Sequence, residues 1–132
     1  MLEYQKGASN IDLSGIIMEQ ICFSTVKEKV ALSISGDIYK ESELIKYTFR
    51  NDSFTSEDFC YAYKSEASKH AYNKGLIHGY AIGIIYFTNY DNSICAVNVF
   101  IDALLNIYIF DPEFNSIKEA KYWQYIPLKI IM

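Results

Sequence analysis

The feature that most constrains this chain is a change of hydrophobic period at Gly75. Before it the apolar residues recur every three or four positions, and after it every two. On the helical side, Thr55 and Ser56 offer caps and Glu57 and Asp58 place carboxylates in a first turn. Phe59, Ala62, Tyr63, Ala67 and His70 then recur on one side until Lys74-Gly75 closes the run. A helix of about five turns is predicted. On the strand side, residues 80–88 are apolar on both faces, residues 89–93 read Asn-Tyr-Asp-Asn-Ser, and residues 94–102 resume the two-residue period, which is a β-hairpin signal. Residues 107–110 form a third strand, ended by Asp111-Pro112 because proline lacks the ladder donor and restricts the residue before it. Residues 127–132 read as a final strand. The pattern predicts an α+β fold, with N-terminal helices packed on a C-terminal, mainly antiparallel sheet of about four to five strands.

The rest of the chain is assigned around that frame. Leu13, Ile16, Ile17 and Ile21 recur at helical spacing behind Asn10 or Asp12, so residues 10–22 are read as an amphipathic helix. Val30, Leu32 and Ile34 alternate and are read as a short strand. After the turn signal Ser35-Gly36-Asp37, residues Ile38, Leu44, Ile45, Thr48 and Phe49 fit one or two short helices. Residues 117–125 fit neither period cleanly and leave room for a turn of helix. At 132 residues, with no internal repeat and no Gly/Ser/Pro linker, residues 1–132 are expected to form a single domain. Half of them are hydrophobic, and 12 Tyr and 8 Phe make the core aromatic.

The formal charge of −4 supplies no broad electropositive field, so a nucleic-acid partner is not expected. Cys22, Cys60 and Cys95 lie far apart in apolar settings, which reads as reduced, buried thiols rather than a disulfide framework. The first residues lack a basic stretch followed by an apolar core, and no apolar run reaches the roughly 18 residues of a membrane span. A cytoplasmic location follows as the expectation. The wealth of Ile, Tyr and Lys suggests a microbial or viral source, with the host cytoplasm as the site if viral.

Neither His70 and His78 nor the cysteines stand at a metal-ligand spacing, and Gly75, Gly79 and Gly83 lead into a strand rather than a phosphate-binding helix. No cofactor is expected. The segments Phe54-Thr-Ser-Glu-Asp-Phe59, Cys95-Ala-Val-Asn-Val-Phe100 and Ile107-Tyr-Ile-Phe-Asp-Pro-Glu113 resemble a papain-like family of cysteine hydrolase type. That family includes the C-terminal domain of a mushroom agglutinin and related phage-encoded proteins. Its members carry a Cys-Asp-Asp-Phe segment opening a helix, a His-Ala-x-Asn-Val-Phe strand and a strand ending in Glu-Pro-Gln. The resemblance runs over residues 54–132 and implies that scaffold. It places Ser56 where the family has its nucleophile, Cys95 where it has its histidine and Asp111 where it has its glutamate, while Asn98 and Pro112 match. The triad is thus replaced, and a serine without a base has too weakly acidic a hydroxyl to attack at neutral pH. The resemblance also makes Glu57 and Asp58 a possible acidic cation site, although the helix dipole already accounts for both.

The aromatics point elsewhere. Ten Tyr and Trp residues between Tyr61 and Tyr125 exceed what a core of this size hides, because each hydroxyl or indole N–H needs a partner or water. Tyr122, Trp123 and Tyr125 are the expected contact surface, since Tyr and Trp anchor interfaces. The leading expectation is a non-catalytic binding protein with a protein partner or a second copy of itself, a homodimer. One alternative is a hydrolase in which Ser56 or a cysteine such as Cys95 works with His78 or His70, and with Asp111. It requires a histidine within about 3.2 Å, or one water, of the nucleophile. Another is a single-stranded nucleic-acid platform of sheet tyrosines, which lacks the accompanying basic groove.

Overall fold

The computed structural model describes residues 2–3 and 27–132. The helix expected over residues 10–22, and Cys22 with it, lie outside the described residues. Helix α1 is Leu32–Ser42, a 3-10 turn follows at Leu44–Lys46, and α2 is Ser56–Asn73. The strands are β1 Leu2–Glu3, β2 Ile82–Thr88, β3 Ile94–Ile101, β4 Ile107–Asp111, β5 Ser116–Glu119 and β6 Pro127–Ile131, with a second 3-10 turn at Ala120–Tyr122. They form one sheet in the order β1-β6-β2-β3-β4-β5, and every pairing is antiparallel. The α+β arrangement is as the period switch predicts. The C-terminal half supplies five strands, and the two-residue β1 pairs with β6.

Helix α2 starts and stops on local chemistry. Asp58 Oδ2 accepts the Thr55 backbone N–H at 2.9 Å and the Thr55 hydroxyl at 3.1 Å, so Thr55 is the cap and Ser56 the first helical residue. At the other end Gly75 takes φ +73°, a left-handed conformation that glycine adopts without a Cβ clash. Its N–H donates to Tyr72 and that of Leu76 to Ala71, which satisfies the last carbonyls.

Helix α1 overturns two expectations. The alternation of Val30, Leu32 and Ile34 is not a strand: Leu32 begins the helix, and Gly36 and Asp37 lie inside it rather than in a turn. A helical glycine costs about 1 kcal/mol against alanine. Ser35 and Ile38, three apart, are the buried positions of α1, and the Ile38 side chain is fully buried. Burying an isoleucine is worth roughly 1.5–3 kcal/mol, which outweighs the glycine. The Tyr63 hydroxyl then donates to the Ser35 carbonyl at 3.0 Å and ties α1 to α2.

The two faces of the sheet are buried differently. The helices cover Ile82, Phe100 and Phe110, which pack with Ile38, Leu44, Phe59 and Tyr63. Ile85, Phe87, Val97, Val99, Ile109 and Ile130 belong to a second cluster, against which Cys95, Trp123 and Tyr125 pack. Asn98 lies fully buried between α2 and the sheet, where its Nδ2 donates to the carbonyls of Cys60 and Gly83, each at 3.2 Å. The ambiguous stretch 117–125 resolves into β5, which pairs with β4 from Tyr108↔Glu119 to Asp111↔Ser116, followed by the second 3-10 turn.

Candidate functional site

A cleft of about 330 Å³ opens where the start of α2 meets one end of the sheet. The register explains what gathers there. Phe87 pairs with Cys95 next to the β2–β3 turn, and Asp111 pairs with Ser116 at the β4–β5 turn. Both turns lie at the same end, because β3 runs antiparallel to β2 and to β4. Ser56, Cys95 and Asp111 therefore line one cleft, although 39 and 16 positions separate them in sequence (95 − 56 and 111 − 95). Ser56 is fixed there by its Oγ, which accepts the Ala96 backbone N–H at 3.0 Å and docks the helix start on β3. Cys95 Sγ lies 3.8 Å from the Ser93 hydroxyl.

One wall is aromatic. Phe87 meets Trp123 edge-on at 5.2 Å and Tyr125 at 4.6 Å between ring centres, and all three line the cleft. Tyr90 extends the group, 5.2 Å from Tyr125, and its hydroxyl donates to Gln124 Oε1 at 3.3 Å. The expected surface of Tyr122, Trp123 and Tyr125 is thus divided. Tyr122 does not line the cleft; it is 64% exposed, with Lys121 Nζ 5.1 Å from its ring centre.

The lining is also charged. Asp111, Glu113 and Lys118 line the cleft, which sums to a formal charge of −1 (two carboxylates, one ammonium). Asp111 Oδ1 accepts the Glu113 backbone N–H at 3.0 Å. Burial nevertheless holds the Asp111 carboxyl above the ordinary carboxylate range, against the lowering effect of the Glu113 and Phe114 backbone N–H groups. Burial, and then the charge of Asp111, raise Glu113 in the same direction. Among the described residues neither carboxylate forms an ion pair.

Neither histidine lines this cleft. His70 lies 14 positions beyond Ser56 on α2, about 21 Å along the helix axis. It is buried, with Nδ1 2.9 Å from the Tyr80 hydroxyl and Nε2 4.0 Å from Glu41. His78 is exposed and precedes the opposite end of β2, five residues of strand or about 17 Å from Phe87. The pairing that the hydrolase alternative requires, Ser56 or Cys95 with His70 or His78, is not formed, because the lengths of α2 and β2 separate both histidines from the cleft.

The remaining candidates have other partners. Glu57 Oε1 accepts the Tyr86 hydroxyl at 3.1 Å, and Asp58 is committed to the cap. Among the described residues no three His, Cys, Asp or Glu are grouped to hold a metal ion. Cys60 is fully buried, and burial, followed by the charges of Asp111 and Glu57, pushes its thiol up, so it remains a protonated packing group. Sequence reasoning missed Phe87, Glu113, Phe114 and Lys118. Their only signal was that they lie in or near the turns at residues 89–93 and 112–115, and it does not distinguish a cleft wall from an exposed loop.

A family model described as Agglutinin C-terminal matches residues 28–117. No curated protein matches the sequence. Among solved structures, a Polyporus squamosus lectin bound to the human-type influenza-binding epitope Neu5Acα2-6Galβ1-4GlcNAc superposes with a TM-score of 0.71 at 17% identity, over 80% of this chain and 39% of that one. A PSL1a–E64 complex superposes with a TM-score of 0.68 at 17% identity, over 79% of this chain and 39% of that one. At this identity the likeness is one of fold, and the chain spans about two fifths of the length of these structures. The matched segment covers more than half of the 132 residues, and the chain belongs to the agglutinin C-terminal family.

Proposed function

We propose that the chain is a non-catalytic binding domain which takes an extended segment of a protein partner into the cleft between Ser56 and Trp123. In this reading the scaffold is papain-like, with its nucleophile, histidine and acid positions held by Ser56, Cys95 and Asp111. One observation carries it: those three residues line a single aromatic-walled cleft, and neither histidine does. A serine hydroxyl or an unactivated thiol without a base is a poor nucleophile. Hydrogen bonding and an aromatic wall are what such a cleft retains for holding a ligand.

The Polyporus squamosus lectin carries a sialylated glycan. In the cleft of this chain a sialic acid carboxylate would enter a lining that already holds two carboxylates against one lysine. A polypeptide segment suits that lining better.

Trp123 is the only tryptophan of the chain and stands on the cleft wall, so its emission reports occupancy of the cleft. The test is a fluorescence titration with a pool of short blocked peptides and, separately, with Neu5Acα2-6Galβ1-4GlcNAc. Saturable change with peptides that are recovered uncleaved, and none with the glycan, is expected. Peptide cleavage that disappears on Cys95→Ala or Ser56→Ala, or the absence of any peptide response, overturns the reading.

A further inference from the structure

We infer that the segment held in the cleft presents a cationic side chain, lysine or arginine, seated between the Asp111 and Glu113 carboxylates and the rings of Trp123 and Tyr125. This rests on the binding reading above and names its ligand class.

Three observations converge on a cation. First, the lining carries two carboxylates against one ammonium, and among the described residues neither carboxylate has a salt-bridge partner. A half-buried carboxylate without a counter-ion loses hydration that backbone N–H groups, where present, repay only in part. That loss is why Asp111 and Glu113 hold protons more tightly than usual, and a ligand cation relieves it. Secondly, the same cleft is lined by the mutually packed rings of Phe87, Trp123 and Tyr125, and the π-faces of Trp and Tyr attract ammonium and guanidinium groups more strongly than they attract neutral ones. A cleft lined by both carboxylates and aromatic rings suits an aliphatic stem with a charged head, which is the shape of lysine and arginine. Thirdly, a volume of about 330 Å³ lies at the small end of ligand sites. It admits one long side chain with its backbone and excludes a helix about 10 Å across. The net charge of −4 adds a weak field that draws cations towards the molecule.

Lys118 is the competitor within the chain. It stands on β5 opposite Ile109 and forms no ion pair among the described residues, so the carboxylates remain open to a ligand. The same chemistry could come from a protein side chain or from a free amine. A side chain is favoured because the backbone on either side of it also gains the hydroxyl of Ser56 and the aromatic wall.

The test titrates the full chain with blocked pentapeptides Ac-Gly-Gly-X-Gly-Gly-amide, where X is lysine, arginine, norleucine or glutamate, and with spermidine, following Trp123 emission and heat of binding. An exposed cation–π contact together with an exposed ion pair predicts that the lysine or arginine peptide binds about tenfold more tightly than the norleucine peptide. The glutamate peptide should bind most weakly. The preference should shrink at high salt, and in D111N/E113Q the lysine, arginine and norleucine peptides should bind with equal affinity. Equal binding of all four peptides overturns the cationic assignment and leaves the binding reading standing. Spermidine binding as tightly as the lysine peptide overturns the side-chain assignment in favour of free amines. Absence of any peptide response overturns both readings.

Discussion

Gly83→Ala isolates the contact that holds the end of β6 against β2. A Cβ at position 83 would meet the Ile131 carbonyl oxygen within van der Waals distance, Met132 Sδ at 2.6 Å and Met132 Cα at 3.1 Å. Two of these are backbone atoms, so no rotamer change relieves them. The final rung, Ile84↔Ile131, must open or the strand must shift. Overpacking of this kind costs about 1–3 kcal/mol, and the lost rung puts Gly83→Ala towards the upper end, at about 2–3 kcal/mol. With a urea m-value of about 2 kcal/mol/M, the unfolding midpoint should fall by about 1–1.5 M. The same substitution in a chain ending at Ile130 meets none of these three atoms. The φ of Gly83 lies outside the left-handed region, and replacing a glycine there by alanine stabilises by about 0.4–1 kcal/mol through the unfolded state. Urea titrations of the four proteins form a double-mutant cycle in which the sign of Gly83→Ala reverses between backgrounds. An equal cost in both would refute the steric argument.

Three further outcomes follow from the same structure. Asp111 has a raised folded-state pKa, so the folded chain binds more protons than the unfolded one just above the ordinary carboxylate range, and stability falls as pH rises through that window. Asp111→Asn keeps the acceptor for the Glu113 N–H, and its thermal melts should show a flatter dependence between pH 4 and 7 and no loss at pH 7; a clear loss there would contradict the assignment. Asn98→Asp replaces the donor shared by the Cys60 and Gly83 carbonyls with a buried charge, and should cost several kcal/mol, enough to abolish cooperative unfolding; a near-native melt would show that the amide is not buried as described. Tyr80→Phe strips His70 Nδ1 of its buried partner and should cost about 1–2 kcal/mol in urea without altering peptide binding at the distant cleft. A peptide affinity, read from Trp123 emission, that differs between that variant and the unsubstituted chain would show the two regions to be coupled.

Helix α2 was legible in full because its determinants are local: the Thr55 and Asp58 cap, the carboxylates of the first turn and Gly75 at its end lie within a few residues of what they stabilise. The hairpin of β2 and β3 was legible for the same reason, since the turn at residues 89–93 fixes its register. The failure at α1 is instructive. Alternation over Val30, Leu32 and Ile34 carries no strand information when Leu32 is 48% exposed and Val30 alone is fully buried. The helix is held from outside, by Ile38 in the core and by the Tyr63 hydroxyl on the Ser35 carbonyl, and such contacts leave no mark on a local period.

The site divides along the same line. Ser56, Cys95 and Asp111 could be named from the resemblance of three short segments, and the antiparallel register brings them to one end of the sheet. Residue types do not say which of three neighbouring aromatics faces inwards. The 3-10 turn at Ala120–Tyr122 leaves Tyr122 exposed, while Trp123 and Tyr125 pack against Phe87.

The sequence by itself determined the elements whose hydrogen bonds and caps close within a turn, and hence the α+β class and the succession of β2, β3, β4 and β6 behind the long helix. Only the tertiary structure decided that both histidines lie far from the cleft, that Gly83 faces the last two residues and that two carboxylates with no ion pair among the described residues share a cleft with Trp123 and Tyr125. Those facts depend on how rigid elements of fixed rise per residue are placed against one another, and a one-dimensional pattern does not encode that placement.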